Sequence, residues 1–301
     1  MTQLHQSAKV IARSRPPAGG EELISILLTY PRFIHPQLLR HRMFAHSAQS
    51  SRAVSFEKTL EWLEANGPVI PVFCLEKRGM QAGPVFDDKE RKAAEKLWLS
   101  TFKKVLASAS QLSAIHDIHH TIPNRILEPF MPIAHLMTGT EKAWNRFLFL
   151  RLHQDADIHA LELAWEIKDK IDASHCQTSL IHIPFKAEIS DSFDLTMPNW
   201  YAYPDSSESF FGTLTFDFLA GSFARCARIS YLNYDKQKSL QEERKFALRL
   251  WTYEHFSPFE HVAVSSALVE NSSGLLGEDW VAFRHLDNMQ YVEPFLNYLT
   301  Q

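Results

Sequence analysis

The chain has 301 residues, 45% of them hydrophobic and 22% charged, with a formal net charge of −4. That length fits one large domain or two small ones, and the composition is that of an ordinary globular protein. The acidic balance excludes nucleic acid as the main partner, because duplex binders carry a basic face; a local arginine cluster here points to a small anion instead.

Cys74, Cys176 and Cys226 are far apart and odd in number, with no CxxC. This fits a reducing compartment, and the cytoplasm is the expected location. The first residues lack an apolar core of the signal-peptide kind, and no run of eighteen apolar residues occurs, so neither a signal peptide nor a membrane span is expected.

In chain order, residues 22–30 (ELISILLTY) have the β-branched, apolar character of a strand. Pro36 suits the first turn of a helix, which is expected to carry Gln37 and Arg40. Residues 55–65 form a short amphipathic pattern, and residues 77–86 (KRGMQAGPVF) have loop chemistry. The longest helical pattern covers 87–117, opened by Asp87 and Asp88, which favour the positive end of a helix dipole. Further helices are expected over 124–136, 141–153, 155–172 and 239–253, the third with Leu161, Ala164, Trp165 and Ile171 at helical spacing. Residues 190–209, rich in Ser, Asp and Pro, read as a linker or excursion. Long helices interrupted by a few strand-like runs imply an α+β fold.

The strongest chemical signal is RHRMFAHSAQSSR, with Arg40, His41, Arg42 and Arg52 around the hydroxyls of Ser47, Ser50 and Ser51. Arginine grips phosphates and carboxylates with a planar fork, and hydroxyls add neutral donors. The segment therefore reads as an oxyanion cradle; the plainer alternative is a solvated basic helix face. Arg125 in PNRILEPF and Arg151 in NRFLFLR also sit in apolar surroundings, where a guanidinium needs an anionic partner. For Arg125 the competing partner is Glu128, one helical turn on. EHFSPFEH lacks the i,i+4 histidine spacing of a zinc helix, and no cysteine or carboxylate cluster completes His116, His119 and His120. No metal site is assigned. Neither a GxGxxG, a P-loop nor a GxSxG elbow is present.

Taken together, these motifs resemble the flavin-dependent thymidylate synthases, the ThyX family. RHR-x7-S is that family's signature, matched by Arg40, His41, Arg42 and Ser50, with Gln37 ahead of it. NRILEPF and FLFLR resemble its second and third arginine motifs. ARCARISY and HFSPFEH resemble two motifs that usually precede RHR but follow it here, an order similar to a rearranged, phage-like branch. GMQA at residues 79–82 and HIPF at 182–185 are similar to that branch as well. The chain departs from the family pattern at Ala48, Ala53 and Arg146, where Glu, Tyr and Asn are usual.

The resemblance implies a ThyX-like α+β fold with a small sheet and several long helices. It implies one catalytic domain over 1–301, with the arginine motifs in 1–189 and the ARISY and SPFEH motifs in 210–301, assembled as a homotetramer with shared sites. Gln37, Arg40, Ser50, Arg52, Arg125 and Arg151 would hold dUMP, with Arg151 also favouring ionisation of the uracil. Arg40, His41, Arg42, Ser230, His255 and Ser257 would contact FAD. NADPH would be the reductant and methylenetetrahydrofolate the one-carbon donor, with no cysteine nucleophile required. Two other readings stay open: a flavoprotein acting on a different pyrimidine nucleotide, and an inactive nucleotide-binding homologue.

Overall fold

Residues 22–30 of the sequence predict a strand, and a strand is what they form, at the centre of a five-stranded sheet. The computed structural model describes residues 6–78, 82–196, 213–231, 238–269, 276–286 and 289–300. Its first half runs β1 (Ser7–Arg15), β2 (Leu23–Pro31), α1 (His35–Leu38), β3 (Ala45–Ala48), α2 (Phe56–Asn66), β4 (Cys74–Glu76), β5 (Ala82–Val85), α3 (Asp88–Ser113), α4 (Thr121–Leu127), β6 (Pro132–Thr140), α5 (Glu141–Arg151) and α6 (Ile158–Ala173). The second half adds β7 (Gln177–Thr178), β8 (Ile181–His182), α7 (Lys186–Phe193), α8 (Thr213–Arg228), α9 (Leu240–Thr252), β9 (Ala263–Ser265), β10 (Trp280–Ala282) and α10 (Met289–Leu299). The architecture is α+β. The main sheet has the order β3-β6-β2-β1-β7, beside a β10-β9-β8 sheet and a β4-β5 hairpin.

Strand β6 is the pivot. Every one of its residues is buried, and it pairs antiparallel with β2 on one edge and β3 on the other. Helix was expected over 124–136, but helix α4 stops at Leu127 and a 3-10 turn, Glu128–Phe130, follows. Pro129 and Pro132 supply no N–H to a helix, and the apolar run after them gains pairing partners and burial on both faces, the pattern of an internal strand. Within the expected loop over 77–86, residues 82–85 form β5, which pairs with β4, while residues 77–78 and 86 are irregular and 79–81, most of the GMQA motif, lie outside the described residues. Of the expected linker, residues up to Phe193 complete α7, while 197–209 lie outside the described residues.

The two faces of the sheet pack differently. One buries Ile24, Ile26, Leu28, Ile133 and Met137 against Trp144 and Phe147 of α5 and Leu163 and Ile167 of α6. Trp144 also donates from Nε1 to the Ile24 carbonyl at 3.1 Å, which fixes α5 on the sheet. The opposite face sends Leu27, Ala134 and Leu136 into a core with Phe218, Leu219 and Phe223 of α8, Phe259 and Phe295. Residues from both sides of segment 190–209 therefore share one core. Capping boxes at Asp87 and Ser239 start α3 and α9, as their sequences predict.

Candidate active site

Helix α1 is short. It ends at Leu38, so Arg40 lies not on the expected helix but in the turn after it, where His41 N–H reaches back to the Leu38 carbonyl at 3.0 Å. This turn exposes Arg40 and Arg42 and half-buries His41 between them. Strand β3 then carries His46 and Ser47 into the sheet, and the chain turns again through Ser50 and Arg52.

Arg151 is the last residue of α5, placed at the same end of the sheet by the burial of Trp144 and Phe147. Its Nε donates to His41 Nε2 at 3.0 Å. One terminal nitrogen reaches Gln37 Oε1 at 3.4 Å and the other the Gln37 carbonyl at 3.0 Å. All three acceptors are neutral. An Arg Nε always donates, so the His41 Nε2 is bare and its proton sits on Nδ1. Burial, then the Arg151 charge and His46, hold the His41 imidazole down at about 4, which agrees with a neutral ring. Burial also lowers Arg151, and the Arg40 charge adds to it while Asp157 opposes.

Gln37, Arg40, Phe149, Leu150, Arg151 and Asp157 help line a cleft of about 530 Å³. Asp157 caps α6, accepting from the backbone of His159 and Ala160 at 3.0 and 3.3 Å. Burial alone would raise its carboxyl, but the His159 ring, the Ala160 N–H and the Gln37 side chain outweigh that and keep it below the ordinary value. The Gln37 amide is thereby oriented, its nitrogen toward Asp157 and its oxygen toward Arg151.

A second group gathers around the next turn. Asn124 of α4 donates to the carbonyls of Ser51 and Val54 at 3.1 and 2.7 Å, and the His120 ring meets the Arg52 carbonyl at 2.9 Å. These contacts set the start of α4, the helix that carries Arg125, against the turn of Ser50 and Arg52. The competing Arg125–Glu128 pair does not form: Glu128 is bound by Arg32 at 3.1 Å, and Arg125 has no ion pair among the described residues. Ser50 N–H donates to the Ser230 carbonyl at 3.2 Å, which joins the ARISY segment to this turn.

His255 and Ser257 form a third group. Glu254 adopts φ 56°, and the reversal leaves both residues exposed at the start of the 3-10 turn Ser257–Glu260. That turn packs on β3, and between them lies a small cleft of about 200 Å³ lined by Arg42, Phe44, Glu260 and His285 among others. Within one chain, the cleft at Arg151 thus includes Gln37 and Arg40 but not Ser50, Arg52, Arg125, Ser230, His255 or Ser257.

Sequence reading did not single out Asp157, His46, His135 or Tyr30. Asp157 carries a legible signal, since an Asp before an apolar helical run is a common N-cap. The histidines carry none, because their partners come from other strands. Burial pushes all three cysteine thiols up, Cys176 to about 11, so none is poised as a thiolate.

The fold and these clefts define an α+β protein whose clefts are lined by arginine guanidinium groups. No family model matches the sequence, and no curated relative does. Among solved structures, the UMP/dUMP methylase PolB from Streptomyces cacaoi bound with 5-Br UMP is similar over 56% of this chain and 88% of that one, with 12% identity and a TM-score of 0.46. Thymidylate Synthase X from Helicobacter pylori with FAD and dUMP is similar over 50% of this chain and 67% of that one, with 16% identity and a TM-score of 0.34.

Proposed function

We propose that the chain is an FAD-dependent thymidylate synthase, which methylates dUMP reductively to dTMP with methylenetetrahydrofolate as one-carbon donor and NADPH as reductant. The observation that carries this reading is Arg151, whose guanidinium is held only by neutral acceptors, His41 and Gln37, at the mouth of a cleft shared with Arg40. A guanidinium without a carboxylate partner retains its attraction for an anion. In a partly desolvated cleft that attraction is far stronger than in water.

In this reading Arg40, Arg52 and Arg125 grip the dUMP phosphate, each charge-assisted hydrogen bond contributing about 1.5–3 kcal/mol. Gln37 and Ser50 orient the nucleotide. Arg151 faces the uracil and stabilises the negative charge left when N3 loses its proton. The donor set fits a flavin dinucleotide: the exposed forks of Arg40 and Arg42, the Nδ1–H of a neutral His41 and the hydroxyls of Ser230 and Ser257 suit a pyrophosphate, with His255 beside them. When bound, the flavin would supply the hydride that completes the methyl group. Because the arginine groups face separate clefts within one chain, a homotetramer with sites shared between subunits would unite them. The whole chain is proposed as one catalytic unit, acting in the cytoplasm.

The test is dTMP formation by the purified chain supplied with dUMP, methylenetetrahydrofolate, NADPH and FAD. UMP and dCMP serve as competing substrates. Yellow protein that forms dTMP supports the reading. Turnover of UMP or dCMP alone would replace the substrate, and colourless protein that binds dUMP without turnover would favour a nucleotide-binding homologue.

A further inference from the structure

Three polar rings lie among apolar side chains on one face of the main sheet, one from each of three neighbouring strands. His46 comes from β3, His135 from β6 and Tyr30 from β2. The pairing of His46 with Met137 and of Ala48 with His135 puts the two histidines diagonally on one face, with ring centroids 5.1 Å apart and nearly parallel. Their immediate neighbours on that face include Leu28, Ile133 and Met137. Burying three polar rings there is costly unless every donor meets an acceptor.

The hydrogen bonds determine one another in sequence. His46 Nε2 lies 3.2 Å from the His41 carbonyl. A carbonyl only accepts, so Nε2 carries a proton, and in a neutral ring Nδ1 is then bare. That Nδ1 lies 3.0 Å from His135 Nε2, which must donate. His135 Nδ1 is bare in turn and accepts the Tyr30 hydroxyl proton at 2.6 Å. The Tyr30 oxygen is left to accept from His35 Nδ1 at 2.7 Å. Burial lowers His35 to about 4, with smaller contributions from Arg32 and His46, and it lowers His46 and His135 as well, so all three rings are neutral at pH 7.

Both ends of this chain return to the cleft. His35 opens α1, which carries Gln37, and His46 holds the carbonyl of His41. Arg151 then bonds both Gln37 and His41 from the other side. Hydrogen bonds and a short helix therefore close a ring around the floor of the site. We infer that Tyr30, His135 and His46 are positioning residues, a one-way hydrogen-bond chain anchored on the His41 carbonyl that fixes the Arg40, His41 and Arg42 turn against Arg151. The consequence for ligand affinity rests on the nucleotide reading above; the order of the protons does not.

The experiment has two arms, both on the full chain. The first reads tautomers by long-range ¹H–¹⁵N NMR of ¹⁵N-histidine-labelled protein at pH 7. His46 and His135 are expected as Nε2–H and His35 and His41 as Nδ1–H. In Tyr30→Phe, His35 should lose its Nδ1–H preference while His46, held by the carbonyl, keeps Nε2–H. A charged or Nδ1–H His46, or a His46 that changes with Tyr30, would overturn the inference. The second arm titrates dUMP by calorimetry into His46→Gln, which keeps a donor at the Nε2 position, and His46→Leu, which does not. Gln should bind within threefold of wild type and Leu at least tenfold more weakly; equal affinities for the two variants would overturn the positioning role. If wild-type protein binds no dUMP, the nucleotide reading fails, and the tautomers still decide the hydrogen-bond chain.

Discussion

Arg228 and Arg151 both end helices, and the sequence around each is apolar, yet their partners differ in charge. Arg228, at the end of α8, makes a paired contact to Glu243 of α9 at 2.7 and 2.5 Å, with the carboxylate fully buried. Its charge is neutralised, and its role is to join two helices. Arg151 meets an imidazole, an amide oxygen and a carbonyl, which satisfy its N–H groups but leave its charge. The difference teaches that burial alone does not tell an arginine neutralised by an internal partner from one whose charge stays uncompensated; the charge of its partner does.

The largest expected effect breaks the structural member. Glu243→Ala leaves Arg228 charged, buried and unpaired, and should cost about 3–5 kcal/mol in urea unfolding. The double change of Arg228→Met with Glu243→Leu should recover most of it, because an apolar pair of similar volume commonly matches a buried ion pair. If the single change costs under ~1 kcal/mol, the pair is solvated and the contrast fails.

The next effect tests the member whose charge is uncompensated. Arg151→Lys keeps the charge but loses the fork that spans His41 and Gln37. Flavin reoxidation by dUMP and the folate donor, after reduction by NADPH, should slow by about 10²-fold, with folding and flavin colour unchanged. A rate within a few-fold of wild type would reject Arg151 as the activating group.

Arg125→Ala sharpens the contrast on the phosphate side. Arg125 has no ion pair among the described residues to lose, so stability should hold. dUMP affinity should fall by the equivalent of about 1.5–3 kcal/mol while flavin affinity changes little. Equal losses of both ligands in a folded variant would count against assigning Arg125 to the nucleotide.

The smallest and broadest effect is in pH. His35 and His41 are held down near 4 and His261 near 3, each by burial first, against an ordinary value of 6.5. The unfolded chain takes up these protons first, so their contribution to stability is complete above pH 6.5 and declines as pH falls toward 4 and 3. Thermal melting from pH 7.5 to 4 should show that decline, and His41→Asn should make it shallower. An unchanged slope would mean that His41 is not held neutral in the folded protein.

Local chemistry made much of the fold legible. The capped helices α3 and α9 and the amphipathic α2 follow from their own residues, and β2 follows from a β-branched run. Strand β6 was not legible, because an apolar run beside prolines fits a helix or an internal strand equally well until its partners are known. In the candidate site, Gln37, Arg40, His41 and Arg151 are recognisable by residue type and motif. Sequence spacing offers Glu128 as a partner for Arg125, but Arg32, distant in sequence, takes it instead.

The sequence by itself determined the repertoire: an acidic α+β chain with clustered arginine forks, hydroxyl-rich segments and no CxxC pair. The tertiary structure alone decided which arginines keep their charge available, because that depends on the partner delivered by another element: Glu243 for Arg228, His41 and Gln37 for Arg151. It alone also aligned Tyr30, His135 and His46, since strand register, which no single segment encodes, sets which side chains share a face.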